Sequence, residues 1–322
     1  MTYSQGSLIV ATDYNGFVST NSGANVNGIW STGSTDAGYG QSALATVSAT
    51  NTITATQWAS LVNTISSIAS HQGTTITART APTAGNIINI LAALNTDLTN
   101  CTTNRGNAVA NGTQFTGWTG TNSVTGGKSG ASWAMTFTNT VTFASADAAR
   151  YFFNAGGRIK IDVSKTSTGN TGDPEWNDLA NTLCGDIYIT GGTATQTISG
   201  SSYTGTTKVG GTGTPNTLAT TTGWYDLTAG AAATIVYKQF ADTAPYTANY
   251  IQHSLAKNAG STTLTITTLW QNTDSDPISG GTAPTGATPG TAPCTIVTYF
   301  PPSSTYLTTA AWGTPTVAAT VA

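Results

Sequence analysis

Apolar residues recur at helical spacing through the first third of this chain and at every second position through most of the rest. Thr12 is placed to cap a short helix carrying Tyr14, Phe17 and Val18. Thr54 and Gln57 form a capping box. After it Trp58, Leu61, Val62, Ile65, Ile68 and Ala69 follow a helical stripe that stops at Gly73. A third helix is predicted after Pro82-Thr83, its stripe built from Ile87, Ile88, Ile90, Leu91, Leu94 and Leu98. The two longer helices are expected to pack antiparallel across the 73–83 loop. Their polar faces carry Ser, Thr and Asn, so stability has to come from a partner surface and not from ion pairs.

From about Asn104 the period becomes two. Trp133, Met135 and Phe137 alternate with Ala134, Thr136 and Thr138, and Val141 and Phe143 follow. The segment Asp147–Asp162 reads as a turn running into Tyr151, Phe152 and Phe153, broken at Asn154 and Gly156-Gly157. A half-buried strand then carries Ile159, Ile161 and Val163. Asp173-Pro174 starts a helix whose face is Trp176, Leu179, Ala180 and Leu183, ending at Gly185. Further strands are predicted at 187–190, 194–199, 234–240, 247–254, 262–270 and 295–300, with Gly/Pro/Asn turns between them. Residues 204–222 and 272–293 read as long exposed loops. The tail from Pro301 is expected to be an arm docking on a neighbour or a frayed end. The fold class is therefore α+β. A helical region (1–105) precedes an antiparallel, sandwich-like β-rich domain (106–322) with an inserted helix and a C-terminal arm.

Composition narrows the function. The chain has 322 residues, of which only 7% are charged, and a net charge of −3. A phosphate-binding surface needs a cluster of Lys and Arg, so nucleic acid is not an expected partner. Threonine makes up about one residue in five, which suits pleated sheet. With eight Trp and twelve Tyr to fill a core, the chain reads as ordered. No apolar window is long enough for a membrane span. The first residues carry no basic, then apolar, signal pattern. Cys101, Cys184 and Cys294 show no metal or disulfide spacing, which suits folding in a reducing cytosol.

Candidate chemistry is sparse. His71 sits at a helix C-terminus, where it would meet the helix dipole, and His253 is expected on a sheet surface. Asp173, Glu175 and Asp178 gather at one helix start, where capping explains them better than acid–base catalysis. Asp274 and Asp276 are too few for a calcium cage. Gly210–Gly213 lacks the lysine and helix of a phosphate loop, and Asn111-Gly112-Thr113 matches a glycosylation acceptor by composition alone. Trp118, Trp133, Trp224, Trp270 and Trp312 are expected to anchor the sheets, with Trp224 and Trp270 as candidate glycan contacts near the long loops. No catalytic residue, cofactor or metal is assigned.

The stretch Phe152-Phe153-Asn154-Ala155-Gly156-Gly157-Arg158-Ile159, followed by Trp176 and Leu179, resembles a family of virion structural proteins of tailed bacteriophages, of cyanophage type. Asp13-Tyr14-Asn15, Gly38-Tyr39-Gly40-Gln41 and Trp58 match that family's other segments in the same order. The resemblance implies a non-enzymatic virion component made in the infected host cytoplasm. It would be a tail fibre or a neck or baseplate appendage, assembling as a homotrimer and with other virion proteins. The alternatives are a capsid decoration protein and a module that binds host surface polysaccharide.

Overall fold

The computed structural model describes residues 10–20, 24–33, 36–84, 93–109, 117–123, 133–166, 173–273 and 293–322. The helix stripe Ile87–Leu91 and most of the 272–293 loop lie outside them. Helix α1 (Ala11–Asn15) begins two residues earlier than the Thr12 cap implies, with Val10 at the N-cap position. The Asp13 carboxylate accepts the Val10 N–H at 3.0 Å, so the acid inside the first turn does the capping. A π-helical turn (Gly16–Thr20) and α2 (Val26–Trp30) follow. Helix α3 (Ala55–Gln72) is bounded as its sequence requires. Gln57 N–H donates to Thr54 Oγ1 at 3.3 Å, Thr54 N–H donates to Gln57 Oε1 at 2.8 Å, and Gly73 ends the helix at φ +70°.

Helix α4 (Leu94–Thr103) packs on α3 in the same sense, not antiparallel. Leu94 lies near Val62 and Ile65, while Gln72 Nε2 reaches the Cys101 carbonyl at 3.0 Å. Residues 76–79, after α3, run back beside Val62 and Ile65 of that helix instead of making a tight hairpin. A buried ion pair of Arg79 with Asp97, whose carboxylate also accepts the Thr77 N–H at 3.2 Å, fastens that return.

The β part is two antiparallel sheets and a small hairpin. Strands β1 (Gly117–Ser123), β2 (Trp133–Thr142), β3 (Arg158–Lys165) and β4 (Asp186–Ile189) are followed by the hairpin β5 (Gln196–Ile198) and β6 (Ser201–Tyr203). Then come β7 (Thr206–Val209), β8 (Thr217–Leu218), β9 (Thr234–Phe240), β10 (Tyr250–Lys257), β11 (Thr263–Asn272), β12 (Pro293–Phe300) and β13 (Thr316–Val321). The five-stranded sheet runs β1-β12-β3-β4-β7 and the six-stranded sheet β13-β2-β11-β10-β9-β8. This is the expected α+β class.

Two connections decide the geometry. Helix α5 (Ala146–Asn154) carries the chain from β2 in the large sheet to β3 in the small one. The sequence suggested only a turn here, because Tyr-Phe-Phe favours extended backbone. The Ser145 hydroxyl accepts the Ala148 N–H at 3.0 Å, and Ala148, Ala149, Phe152 and Phe153 all turn inward, which makes the segment a helix. Helix α6 (Asp173–Asp178) runs on through a π-helical turn (Leu179–Cys184) that touches β3 on one side and β9 and β10 on the other.

The 204–222 stretch is not a loop. It contains β7 and β8, Thr206 is fully buried, and its hydroxyl donates to the Thr222 carbonyl at 2.8 Å. A side chain on Gly211 would meet the Gly185 backbone at 2.5 Å, so glycine is what lets these two turns touch. The C-terminal stretch is likewise part of this chain's own core. Leu307 is 2% and Trp312 1% exposed, and β13 pairs with β2 from Thr316↔Thr142 to Val321↔Phe137. One apolar cluster runs from Tyr14 through Trp58, Phe152 and Trp270 to Trp312, so the two sequence regions share a core across residue 105.

Replacing Trp312 by Ala is expected to lower unfolding stability by about 3–5 kcal/mol, the usual penalty for emptying a buried aromatic site. Urea unfolding measures it; a loss under about 1 kcal/mol would mean that the tail is not a core element.

Candidate functional site

The Phe152–Gly157 motif is a structural corner. Phe152 and Phe153 meet edge-to-face at 5.1 Å, and both pack on Phe143 at the end of β2, at 5.3 and 5.8 Å. Phe152 reaches Tyr299 of β12 at 6.4 Å, and Phe153 stacks on Trp224 at 5.4 Å. The two rings thus join both sheets to the 223–226 turn. A side chain on Gly157 would sit 2.6 Å from the Phe152 carbonyl, which explains a glycine where α5 turns into β3. Ile159 is fully buried. Trp176 of α6 stacks on Trp270 at 5.6 Å and lies 4.9 Å from Trp133. Trp224 and Trp270 are 2% and 0% exposed, so neither offers a face to a sugar; the candidate glycan contacts are core residues. Placing them near exposed loops failed because the preceding loop is itself packed structure.

Both histidines are buried, contrary to their expected surface roles. His71 packs edge-on to Tyr39 at 5.3 Å, and burial pulls it down to about 4, weakly opposed by the Ala155 backbone. His253 lies in an inward row of the large sheet, stacked on Tyr237 at 5.2 Å with Nδ1 2.9 Å from Thr268 Oγ1, and burial pulls it down to about 3. Each is a neutral imidazole inside the core. Glu175 is buried too. Burial, then Asp178 and Asp242, push its carboxyl upward against contacts from Thr243. Asp178 belongs to the same helix, so the two acids do not face each other across a substrate groove. The Asp173 side chain, the Trp118 side chain, Asp274, Asp276 and Asn111-Gly112-Thr113 lie outside the described residues. The three cysteines are buried and free, with Cys101 and Cys184 pushed up to about 12 by burial.

Among the described residues, no group of three or more His, Cys, Asp or Glu is placed to hold a metal, and no helix is long and apolar enough to cross a membrane.

Two surface features among the described residues bear on function. The first is the outer face of β13-β2-β11-β10. Thr136, Thr138 and Thr140 alternate with the buried side of β2, and Thr263, Thr265 and Thr267 do the same on β11. They pair across the sheet as Thr140↔Thr265 and Thr138↔Thr267, with Thr320 beside Thr138 and Ser254 beside Thr267. No Asp, Glu, Lys or Arg points outward from these four strands; the nearest cation on this face is Lys238 of β9, 3.6 Å from the Tyr250 ring. The second is a cleft of about 170 Å³ where the end of α4 meets the 192–196 loop and the 223–226 turn, with Asn154 in its floor. Sequence reasoning missed this cleft, since Asp36, Arg105, Asn107, Gln196 and Tyr225 come from distant segments without a shared motif.

Comparison with family models, with curated proteins and with solved structures finds no match to this chain.

The buried histidines set an acid limit on stability. In the unfolded chain they titrate near 6.5, so as pH falls below that value the unfolded state takes up protons that the folded state refuses. Stability is expected to fall from pH about 6.5, by roughly 1.4 kcal/mol per pH unit per histidine, until about 4 for His71 and about 3 for His253. Urea unfolding between pH about 7 and about 5 measures the slope, and His253→Gln should reduce it by about half. An unchanged slope in that variant would show that His253 is not held neutral.

Proposed function

We propose that this chain is a structural component of a phage virion, part of the tail as a fibre or a neck or baseplate appendage, and that it acts by assembling with copies of itself as a trimer. The class of particle rests on the resemblance of the Phe152–Ile159 motif, Trp176 and the N-terminal segments to tailed-phage virion proteins. The observation that carries assembly is the uncharged outer face of β13-β2-β11-β10, which we assign to contact with another copy of the chain.

Burying charge is unfavourable unless each charge is paired, whereas threonine hydroxyls have local partners and their methyl groups pack. Strands β2 and β11 of ten residues, β10 of eight and β13 of six, about 4.8 Å apart, present roughly 500 Å². In a ring of three, each copy turns this face toward the axis and shares it with both neighbours, so the three faces together bury about 1,500 Å². Closed rotational symmetry limits growth to a ring of copies.

Light scattering on the purified chain is expected to give a trimer. Thr138→Lys with Thr267→Lys, placing two charges side by side on this face, should shift it to monomer with an unchanged circular dichroism spectrum. A wild-type monomer at about 100 μM, or a charged variant that assembles as before, would overturn the reading.

A further inference from the structure

We propose that the cleft between α4 and the 192–196 loop is a binding site for one small, neutral, hydroxyl-rich ligand, a single sugar ring. Its size is the first reason. At about 170 Å³ it has room for roughly five or six waters, enough for one ring and not for an extended chain.

Its charge is the second. Arg105 Nη2 is paired with Asp36 at 3.2 Å, and Asp226 Oδ2 accepts the Gly223 N–H at 2.8 Å. The guanidinium is therefore matched within the wall, and the remaining charge at the rim is negative. An anionic ligand meets no spare cation here.

The third reason is what the polar groups have left to give. Asn104 commits Nδ2 to Thr74 Oγ1 at 3.1 Å, which leaves its carbonyl oxygen as an acceptor. Asn107 commits Oδ1 to the Thr197 N–H at 2.9 Å, which leaves its Nδ2 as a donor. Gln196 is 7% exposed, lines the same cleft, and its Oε1 is buried with no hydrogen-bond partner. An orphaned buried acceptor is unfavourable by about the value of its missing hydrogen bond, so a turn of the Gln196 amide that brings this oxygen to a ligand hydroxyl in the cleft is rewarded. Acceptor, donor and acceptor within one small cleft match vicinal hydroxyls, each of which both gives and takes a hydrogen bond.

Tyr225 supplies the flat wall. Its hydroxyl donates to Asn154 Oδ1 at 2.7 Å and lies 3.0 Å from the Arg150 carbonyl, and Asn154 Nδ2 holds the Gly38 carbonyl at 2.8 Å. A side chain at Gly191 would come within 2.9 Å of the ring, so glycine makes its seat. The site is thus built on fixed elements, as a binding site requires.

Titration calorimetry and ligand-observed NMR with D-glucose, D-galactose and N-acetylglucosamine, on the full chain, test this. At least one is expected to bind saturably at about millimolar affinity, the range open to a ligand of about a dozen heavy atoms. Inorganic phosphate should not bind. Gln196→Met, which keeps the side-chain length, and Asn107→Asp, which keeps the oxygen that holds Thr197, should each weaken binding about tenfold or more at unchanged Tm. Should one variant fail to fold, the other carries the test alone. No saturation by any of the three sugars at about 50 mM, phosphate binding in their place, or equal sugar affinity in the folded variants would overturn the proposal.

Discussion

The whole arrangement depends on the packing of rings at the α5 corner. Phe152 and Phe153 are consecutive, yet one reaches Tyr299 in the small sheet and the other Trp224 beside the large one, with Phe143 between them. A helix is the one local structure that sends adjacent side chains to different neighbours on a single buried side. Asn154, at its last turn, extends the contact to the N-terminal region through Gly38. Three parts of the chain meet within two turns of helix. With 7% charged residues, little else is available to hold them in register.

The same shortage of charge shapes interior and surface differently. Inside, beside the Arg79–Asp97 ion pair, cations are kept by aromatic faces and carbonyls. Arg158, 5% exposed, lies over the rings of Tyr203 and Phe300 at 5.0 and 5.3 Å. Lys257 donates to the Trp224 carbonyl at 2.8 Å and sits 5.1 Å from its ring, and burial pulls its ammonium downward. Outside, threonine replaces the usual Lys/Glu covering, and cross-strand threonine pairs stabilise the sheet without repelling a second uncharged surface. A surface of that kind suits an assembled protein better than one that spends its life dissolved and alone.

Much of this fold was legible in the residues. Helix α3 announces both ends through Thr54-Gln57 and Gly73, and β2 and β11 show period two over their length. The failures have a common cause. Tyr151-Phe152-Phe153 has extended-chain preference, and only its tertiary partners make it helical. β7 (Thr-Thr-Lys-Val), β8 (Thr-Leu) and β13 (Thr-Val-Ala-Ala-Thr-Val) are too short or too poor in large apolar residues to show a sustained alternation, so little local distinguishes them from loops. His71 and His253 look like surface polar residues until Tyr39 and Tyr237 are brought against them. The cleft was illegible for the same reason: residues 36, 105, 154, 196 and 225 become neighbours only after folding.

The claim that a ring-packed corner makes the helical segment and both sheets one cooperative body is tested most directly by following unfolding with two probes at once. Far-ultraviolet circular dichroism at the helical signal and tryptophan fluorescence should give coincident urea transitions, and Phe153→Ala should move both together by about 3–5 kcal/mol. Separate transitions, or a variant that shifts fluorescence while leaving the helical signal in place, would contradict it.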